Sequence, residues 1–160
     1  METWSEPVAR VTDFLAHTGA EARVEEFPGG TPTAAAAAEA CGCKLGEIVK
    51  SLVFECDGRT VLALVPGDRR ADAAKIAEAA GTGRAKVASA ERVRELTGFE
   101  PGAVAPFPPS PVDFVFVDRR LLLPDNVWVG AGSPMHMACL SPAELLRLSG
   151  AEQTDLVADP

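Results

Sequence analysis

The chain has 160 residues, which is long enough for one domain with a substantial hydrophobic core. It carries 15 Lys and Arg residues against 23 Asp and Glu residues, so its formal net charge is −8. This acidic balance argues against a protein that grips duplex nucleic acid along many phosphates, and any such contact is expected over a small area. The longest apolar runs have only the length of strands, so no membrane span is predicted. The polar first residues are unlike a secretory leader, and we therefore expect a cytoplasmic protein.

The first third of the chain predicts two helices and a short strand. Residues 5–19 have apolar side chains at helical spacing, with Ser5 as the expected cap and Pro7 in the first turn. The segment ARVEEF, residues 22–27, is typical of a strand. Thr33 is expected to cap a second helix, because the alanine-rich run after it has high helix propensity.

The middle of the chain predicts a hairpin followed by two helices. Two β-rich runs, residues 49–55 and 60–66, flank the dipeptide Asp57-Gly58, which is a strong signal for a two-residue turn. Helices are predicted over residues 70–81 and 89–98, each of which ends in glycine. A short strand is expected between them, over residues 84–89.

The last third combines a proline-rich loop with further strands and a helix. Residues 98–111 hold five prolines, and a long ordered loop in a compact domain is often functional. Ser141, Pro142 and Glu144 form a capping-box pattern that predicts a helix over residues 141–150. The strands predicted here are residues 112–118, 127–132 and 135–140.

This order of elements predicts a single α+β domain with a mixed β-sheet and flanking helices. Strands and helices alternate without a regular βαβ rhythm, and the tight hairpin makes its two strands antiparallel. We expect the domain to cover residues 1–151 and residues 152–160 to form a polar C-terminal tail.

Lys50 stands out because it interrupts the apolar strand IVKSLVF, residues 48–54. In a strand, Lys50, Leu52 and Phe54 project to one face, so the ammonium lies beside covered surface. Burying an ammonium is costly unless acceptors satisfy it, which favours a wet pocket. The alternative is a lysine that extends along its own methylenes into solvent.

Four cysteines, at positions 41, 43, 56 and 139, raise the question of a metal or redox site. Zinc sites normally show paired cysteines two to four residues apart, and this spacing pattern is missing here. Free cysteine is often a small buried side chain, so we favour packing and expect no metal and no cofactor.

Two glycine-rich segments are candidate contacts for a ligand. The segment GFEPGAVAPF, residues 98–107, can turn sharply and expose amides that hold a carbonyl oxygen, an oxyanion or a phosphate. The segment VWVGAGSPMH, residues 127–136, adds a second turn followed by His136. Neither has the spacing of a phosphate-binding P-loop or a dinucleotide fingerprint. No Ser–His–acid set or carboxylate pair is evident in the sequence.

These segments occur in an order that resembles the YbaK family, which comprises the prolyl-tRNA synthetase-associated editing domain and its freestanding relatives. The resemblance covers about residues 20–151, and the ordered set is more specific than any one motif. The segments that carry it are the threonine–alanine run beginning at Thr31, KLGEIVKSLVF, LALVPGDRRAD, LTGFEPGAVAPF, VFVDRRLL, VWVGAGSPMH and LSPAELLRLSGA.

The resemblance implies a curved mixed sheet and the hydrolysis of amino acids wrongly attached to tRNA, chiefly tRNA(Pro). It implies a pocket lysine at Lys50 that meets the terminal adenosine, and a loop whose backbone holds the aminoacyl carbonyl. A serine that is frequent in the family at position 105 is alanine here. Catalysis would use a positioned water and the 2′-hydroxyl of the tRNA. The catalytic set implied is Lys50, Gly102, Ala103, Val104, Ala105 and Pro106. The substrate-binding set is Thr33, Leu52, Phe99, Gly130, Ala131, Gly132 and His136.

The partner implied is the acceptor end of aminoacyl-tRNA, with prolyl-tRNA synthetase as a further expected partner. Candidate contacts to the tRNA backbone are Arg69, Arg70, Arg84 and Lys86. Two alternatives stay open: a non-catalytic module that binds a nucleotide, an aminoacyl end or a synthetase, and a metal-binding protein that uses its thiols.

Overall fold

The computed structural model of the protein describes residues 5–160. In this part of the chain the α-helices are α1 (Glu6–His17), α2 (Ala34–Cys41), α3 (Ala73–Ala79), α4 (Ala90–Thr97) and α5 (Pro142–Ser149). The strands are β1 (Ala22–Glu26), β2 (Val49–Cys56), β3 (Arg59–Pro66), β4 (Lys86–Val87), β5 (Phe114–Asp118), β6 (Val127–Ser133), β7 (His136–Leu140) and β8 (Glu152–Thr154). None of the helices formed by residues 5–160 is both long and apolar enough to cross a bilayer.

The helices begin largely where their caps predict. Thr33 accepts a hydrogen bond from the amide of Ala36, and Ser89 accepts one from the amide of Arg92. Ser5 precedes α1 as expected, but its side chain makes no capping bond. Proline in the first turn and the buried face of α1 therefore define this helix without that cap.

The predicted capping box of α5 forms only in part. Ser141 accepts from the amide of Glu144, as the motif requires. The carboxylate of Glu144 does not return to the cap; it accepts from the amide of Glu21 at 2.9 Å and pairs with Arg147. The residue that usually closes the box instead ties α5 to the start of β1.

The strands form two sheets, and the larger one is mixed. A three-stranded antiparallel sheet has the order β1-β7-β6, and a five-stranded sheet has the order β4-β2-β3-β5-β8. In the larger sheet β3 pairs in parallel with β5, and β5 with β8. A single bridge between Ile48 and Trp128 joins the two sheets just before β2. The fold is an α+β domain, as predicted, with the sheet divided in two.

The hairpin between β2 and β3 has the predicted turn. Asp57 and Gly58 both have positive φ, at 49° and 84°, which is the conformation of a two-residue type I′ turn. The alternation along β2 is also as expected. Val49 and Val53 face the central core, whereas Phe54 and Cys56 belong to a second core on the opposite face.

The C-terminal segment differs from the predicted polar tail. Residues Glu152–Thr154 form β8 beside β5, and the side chains of Leu156 and Val157 are fully buried in the second core. Two apolar residues in a polar segment are too few to show a periodicity. Their burial depends on the parallel pairing of β8 with β5, which lies more than thirty residues earlier in the chain.

Candidate active site

A cavity of about 230 Å³ opens where the start of β2 meets β6, β7, the proline-rich loop and the residues around the start of α2. We call it the β2 cavity. Sites for drug-sized ligands usually measure about 300–1,000 Å³, so this space suits a smaller group such as an amino acid. It is lined by residues 31–34 and 37, residues 48–52, Gly102, Val104, Gly130, Ser133, His136 and Met137.

Glycine at position 130 allows the proline-rich loop to lie directly against β6. A Cβ atom at Gly130 would stand 2.7 Å from the carbonyl oxygen of Val104, too close for any side chain. Two positions on, the amide of Gly132 donates to the carbonyl of Ala103 at 3.1 Å. The two glycine-rich segments singled out in the sequence therefore form one wall of the cavity.

The loop presents backbone donors to this wall. Gly102 has a φ of +84° and turns the chain, and both Gly102 and Val104 line the cavity. Within residues 5–160, the amides of Gly102 and Val104 donate to no other residue. Such amides can hold a carbonyl oxygen or the oxyanion that develops from it.

Lys50 lies in the lining of the cavity. Its Nζ donates to the carbonyl oxygen of Arg69 at 2.7 Å. Burial lowers the pKa of Lys50 below its usual value of 10.5, and the nearby Asp68 carboxylate acts in the opposite direction. The ammonium is thus partly desolvated and oriented by a backbone carbonyl, as the pocket interpretation of Lys50 requires.

Ser51 is a lining residue that the sequence did not single out. Its Oγ is buried, and among residues 5–160 it has no hydrogen-bond partner. A buried hydroxyl without a partner is costly to the fold, so the hydroxyl is suited to a ligand. No local pattern in the sequence indicates this, since a serine beside a lysine is common in strands.

Strand pairing brings together a chain of polar groups that the sequence separates. His136 lies opposite Glu26 of β1 and opposite Ser133 of β6. Its Nδ1 is 2.6 Å from Ser133 Oγ, and its Nε2 is 3.2 Å from Glu26 Oε2. Ser133 and His136 both line the cavity, and Ser133 Oγ also accepts from the amide of Met135. The order is serine, histidine and acid, although the sequence showed no such set.

A family model described as the aminoacyl-tRNA editing domain matches residues 29–148, which include the whole lining of the cavity. The chain belongs to the aminoacyl-tRNA editing domain family. The resemblance inferred from the ordered motifs is confirmed, and so is the fold class that it implied.

Individual members of the editing-domain family match over most of this chain. A solved structure described as a candidate trans-editing enzyme for prolyl tRNA synthetase has a TM-score of 0.90 and 38% identity, and the match covers 98% of this chain and 100% of that one. The Escherichia coli (strain K12) protein named multifunctional Ser/Thr-tRNA deacylase ProXp-y is 32% identical over 148 residues, 89% of this chain and 88% of that protein.

A larger relative contains a similar segment. The proline–tRNA ligase of Maridesulfovibrio salexigens is 33% identical over 102 residues, which are 64% of this chain but 17% of the ligase. This chain is therefore similar to single-domain members of the editing-domain family over nearly their full length, and to only a small part of the ligase.

The cavity brings together about half of the residues that the family resemblance assigned. Lys50, Gly102 and Val104 from the catalytic set line it. From the substrate-binding set, the lining residues are Thr33, Leu52, Gly130 and His136. Thr33 also uses its Oγ as the cap of α2.

The other assigned residues act behind the wall or in the core. Phe99 is 2% exposed, lies in the central core and is covered by the Arg10 guanidinium at 4.2 Å from its ring centroid. Phe99 therefore supports the loop rather than facing the cavity. The residues that are buried and absent from the described lining are Ala103, Ala105, Pro106, Ala131 and Gly132.

The four cationic candidates for tRNA contact do not form one patch. Arg69 and Arg70 follow β3, beside Lys50, and the Arg69 guanidinium donates to the carbonyl of Ala158. Arg84 and Lys86 lie near the turn of the hairpin, since Lys86 pairs with Glu55. From Lys50 to Glu55 along β2 this separation is roughly 17 Å at about 3.3 Å per residue.

The cysteines pack against apolar side chains, as the sequence favoured. Cys41 and Cys43 adjoin a cluster that contains Cys139, and Cys41 Sγ is 4.0 Å from the sulfur of Met137. Burial raises the pKa of Cys41 to about 12, so this thiol stays protonated at neutral pH. Residues 5–160 contain no cluster of three or more His, Cys, Asp or Glu side chains suited to a metal ion.

Proposed function

We propose that this editing-domain protein hydrolyses, in trans, the ester that joins a non-cognate amino acid to tRNA, with mischarged tRNA(Pro) as its main substrate. The observation that carries the proposal is a cavity of amino-acid size whose lining includes a partly desolvated lysine and two loop residues whose amides donate to no described residue. Membership of the family and the names of its relatives support the same reaction.

The reaction needs orientation more than a strong base. Water attacks the ester carbonyl carbon, the bond to the ribose oxygen breaks, and that oxygen takes a proton from the attacking water. The amides of Gly102 and Val104 are placed to stabilise the oxyanion, as the family mechanism expects of this loop. The 2′-hydroxyl of the tRNA assists by positioning the water.

Lys50 and the rest of the lining hold the two halves of the substrate. The Lys50 ammonium meets the phosphate or ribose of the terminal adenosine at the cavity mouth. Gly130 keeps one wall flat against the substrate, and His136, oriented by Ser133, contacts the aminoacyl group. Within residues 5–160 no acidic side chain lines the cavity, although the Asp68 carboxylate acts on Lys50 from outside the lining.

The unpaired hydroxyl of Ser51 favours an amino acid that carries its own hydroxyl group. A site that can hydrogen-bond a substrate hydroxyl discriminates strongly against an analogue that lacks it. We therefore expect serine and threonine esters to be hydrolysed faster than alanine esters. The name of the Escherichia coli relative, a Ser/Thr-tRNA deacylase, agrees with this expectation.

The acidic charge of the chain fits recognition of the acceptor end alone. Arg69 and Arg70 lie close enough to Lys50 to contact the first phosphates, while Arg84 and Lys86 would reach only a more distant part of the stem. Prolyl-tRNA synthetase is the proposed partner that supplies the remaining tRNA contacts. The cytoplasm, where aminoacyl-tRNA is used, is the proposed location.

The test is deacylation of tRNA(Pro) charged separately with alanine, cysteine, serine, threonine and proline. Wild type should hydrolyse one or more mischarged species and spare the proline ester. Lys50→Ala should lower kcat/KM roughly 100-fold, because an oriented charge at the reacting end is lost.

The matched control for this test is Lys44→Ala, which removes an exposed lysine from the segment just before β2. It should behave as wild type, and circular dichroism should show that both variants are folded. Equal activity of Lys50→Ala and wild type would refute the role of Lys50. If wild type binds the charged tRNA but hydrolyses no ester, the non-catalytic binding module becomes the better description.

A further inference from the structure

The C-terminal residues 155–159 hold the loop that follows β3. The amide of Asp72 donates to the carbonyl of Leu156, and the amide of Ala158 donates to the carbonyl of Arg70, both at 2.8 Å. The Arg69 guanidinium donates to the carbonyl of Ala158 at 2.9 Å. The loop and the C-terminal segment thus form a short antiparallel ladder on the surface of the domain.

The same loop orients Lys50 in the β2 cavity. The carbonyl of Arg69, which accepts from Lys50 Nζ at 2.7 Å, belongs to the residue whose side chain binds Ala158. The turn that carries this carbonyl is closed by a bond from the amide of Arg69 to Pro66. Arg69 therefore links the two directly: its side chain binds the C-terminal segment and its carbonyl binds the ammonium of Lys50.

Lys75 fastens the segment to the body of the domain. From α3, its Nζ donates to Asp155 at 3.0 Å, to the carbonyl of Val157 at 2.7 Å and to Asp159 at 3.0 Å. Arg120 pairs with Asp155 from the other side at 3.2 Å. Asp155, between these two cations, is the anionic centre of the contact.

We propose that the C-terminal segment is a positioning element for Lys50, and that Lys75 is the residue that locks it in place. This inference rests on the proposed role of Lys50 in deacylation. Asp68 and Arg70 of the loop are exposed, so the ladder supplies much of what restrains this loop. Without the lock, the Arg69 carbonyl would move and the ammonium would lose its direction, a displacement that lowers turnover strongly.

The experiment compares Lys75→Met and Lys75→Arg with wild type. In Lys75→Met we expect faster amide exchange at Asp72 and Ala158, because the ladder opens more often. We expect the pKa of Lys50, followed by NMR of labelled lysine, to rise toward its usual value as the ammonium gains solvent. Turnover, measured as kcat/KM with mischarged tRNA(Pro), should fall roughly tenfold. Lys75→Arg keeps the charge and should restore all three properties.

Two further variants make the comparison specific. Asp155→Asn removes the same contact from the opposite side and should reproduce Lys75→Met. Arg92→Met removes an ion pair with Glu55 at the turn end of the β2–β3 hairpin, far from the cavity, and it should leave all three readouts at wild-type values. Circular dichroism and thermal unfolding should show that each variant is folded.

Two outcomes would overturn the inference. If the ladder amides exchange faster while the Lys50 titration and turnover stay unchanged, the segment does not position the lysine. If exchange stays slow in both Lys75→Met and Asp155→Asn, these residues do not lock the segment. The Lys50 titration needs no substrate, so a wild type that fails to deacylate overturns the proposed function without deciding the positioning role.

Discussion

Cationic side chains lie at both ends of the β2–β3 hairpin, but their surroundings differ. At the cavity end, Lys50 is partly desolvated and Ser51 has a buried hydroxyl without a partner among the described residues. At the turn end, Arg92 pairs with Glu55 at 2.9 Å, and the carboxylate of Asp57 accepts from the amide of Gly83. The groove at the turn end is nevertheless the larger, about 500 Å³ against about 230 Å³.

The difference shows that size alone is a poor guide to a functional site. Polar groups at the turn end are exposed or paired with each other, so they gain little from a ligand. Polar groups at the cavity end are enclosed, and their hydrogen-bonding capacity is not fully used.

Gly130→Ala should lower deacylation activity the most. Its Cβ would stand 2.7 Å from the Val104 carbonyl, so the loop that presents the amides must move away. We expect deacylation to fall roughly 100-fold, measured with mischarged tRNA(Pro). Gly29→Ala is the control, since a Cβ there meets nothing within 4 Å. Wild-type activity in Gly130→Ala would show that the position of the loop does not matter.

Ser51→Ala should separate activity from stability. Removing an unpaired buried hydroxyl should leave the free energy of unfolding unchanged or raise it, while hydrolysis of the serine ester falls roughly tenfold. Thr97→Ala is the matched contrast, because the buried Thr97 hydroxyl donates to Val93 and accepts from Phe99. That variant should lose about 1–3 kcal/mol of stability by leaving the Phe99 amide unpaired. Urea unfolding and deacylation assays measure both; a destabilised Ser51→Ala would contradict the contrast.

Charge reversal should affect tRNA binding more at the cavity end than at the turn end. Arg70→Glu should raise KM roughly threefold to tenfold and weaken its dependence on salt, because a phosphate contact is lost. Lys86→Glu, about 17 Å away along β2, should change KM less than about twofold. The measurement is KM at several salt concentrations. Equal effects would mean that the acceptor stem runs along the hairpin as far as β4.

At acidic pH the Asp155 carboxylate should contribute less to the stability of the protein. Its hydrogen bond from Lys75 lowers its pKa to about 2, below the value of about 3.9 expected in the unfolded chain. A lowered folded-state pKa stabilises the fold above the unfolded value, and this contribution is lost as pH falls toward 2. The stability difference between wild type and Asp155→Asn should therefore be constant from pH 8 to 5 and shrink below about pH 4. Thermal unfolding at several pH values checks this, and a difference that persists at pH 2 would exclude the assignment.

The sequence predicted most of the elements because their ends carry local signals. Thr33, Ser89 and the Asp57-Gly58 turn specify conformations that depend on a few neighbouring residues. The C-terminal segment was predicted wrongly for the opposite reason. β8 exists only because β5 offers it a parallel edge, and no local pattern records that partner.

Residues of the candidate site that belong to the family motifs could be predicted from the sequence. Contacts that arise only from the pairing of distant strands could not. Lys50 and the loop containing Gly102 could be assigned from the ordered motifs. The contact of His136 with Ser133 and Glu26 follows from the register of three strands. Phe99 was assigned to the substrate, yet it supports the loop from the core, since a motif position does not reveal which way a side chain faces.

Thr33 and Ser51 both line the cavity, but the fold depends on their hydroxyl groups to different degrees. The Thr33 hydroxyl caps α2, so a substitution there changes the binding surface and weakens a helix at once. The Ser51 hydroxyl bonds to no other group among residues 5–160, so exchanging it changes the cavity lining without removing a hydrogen bond from the fold. Under the proposed role of Ser51, a new amino-acid preference could arise in a single step at position 51, whereas a change at position 33 would require compensation elsewhere.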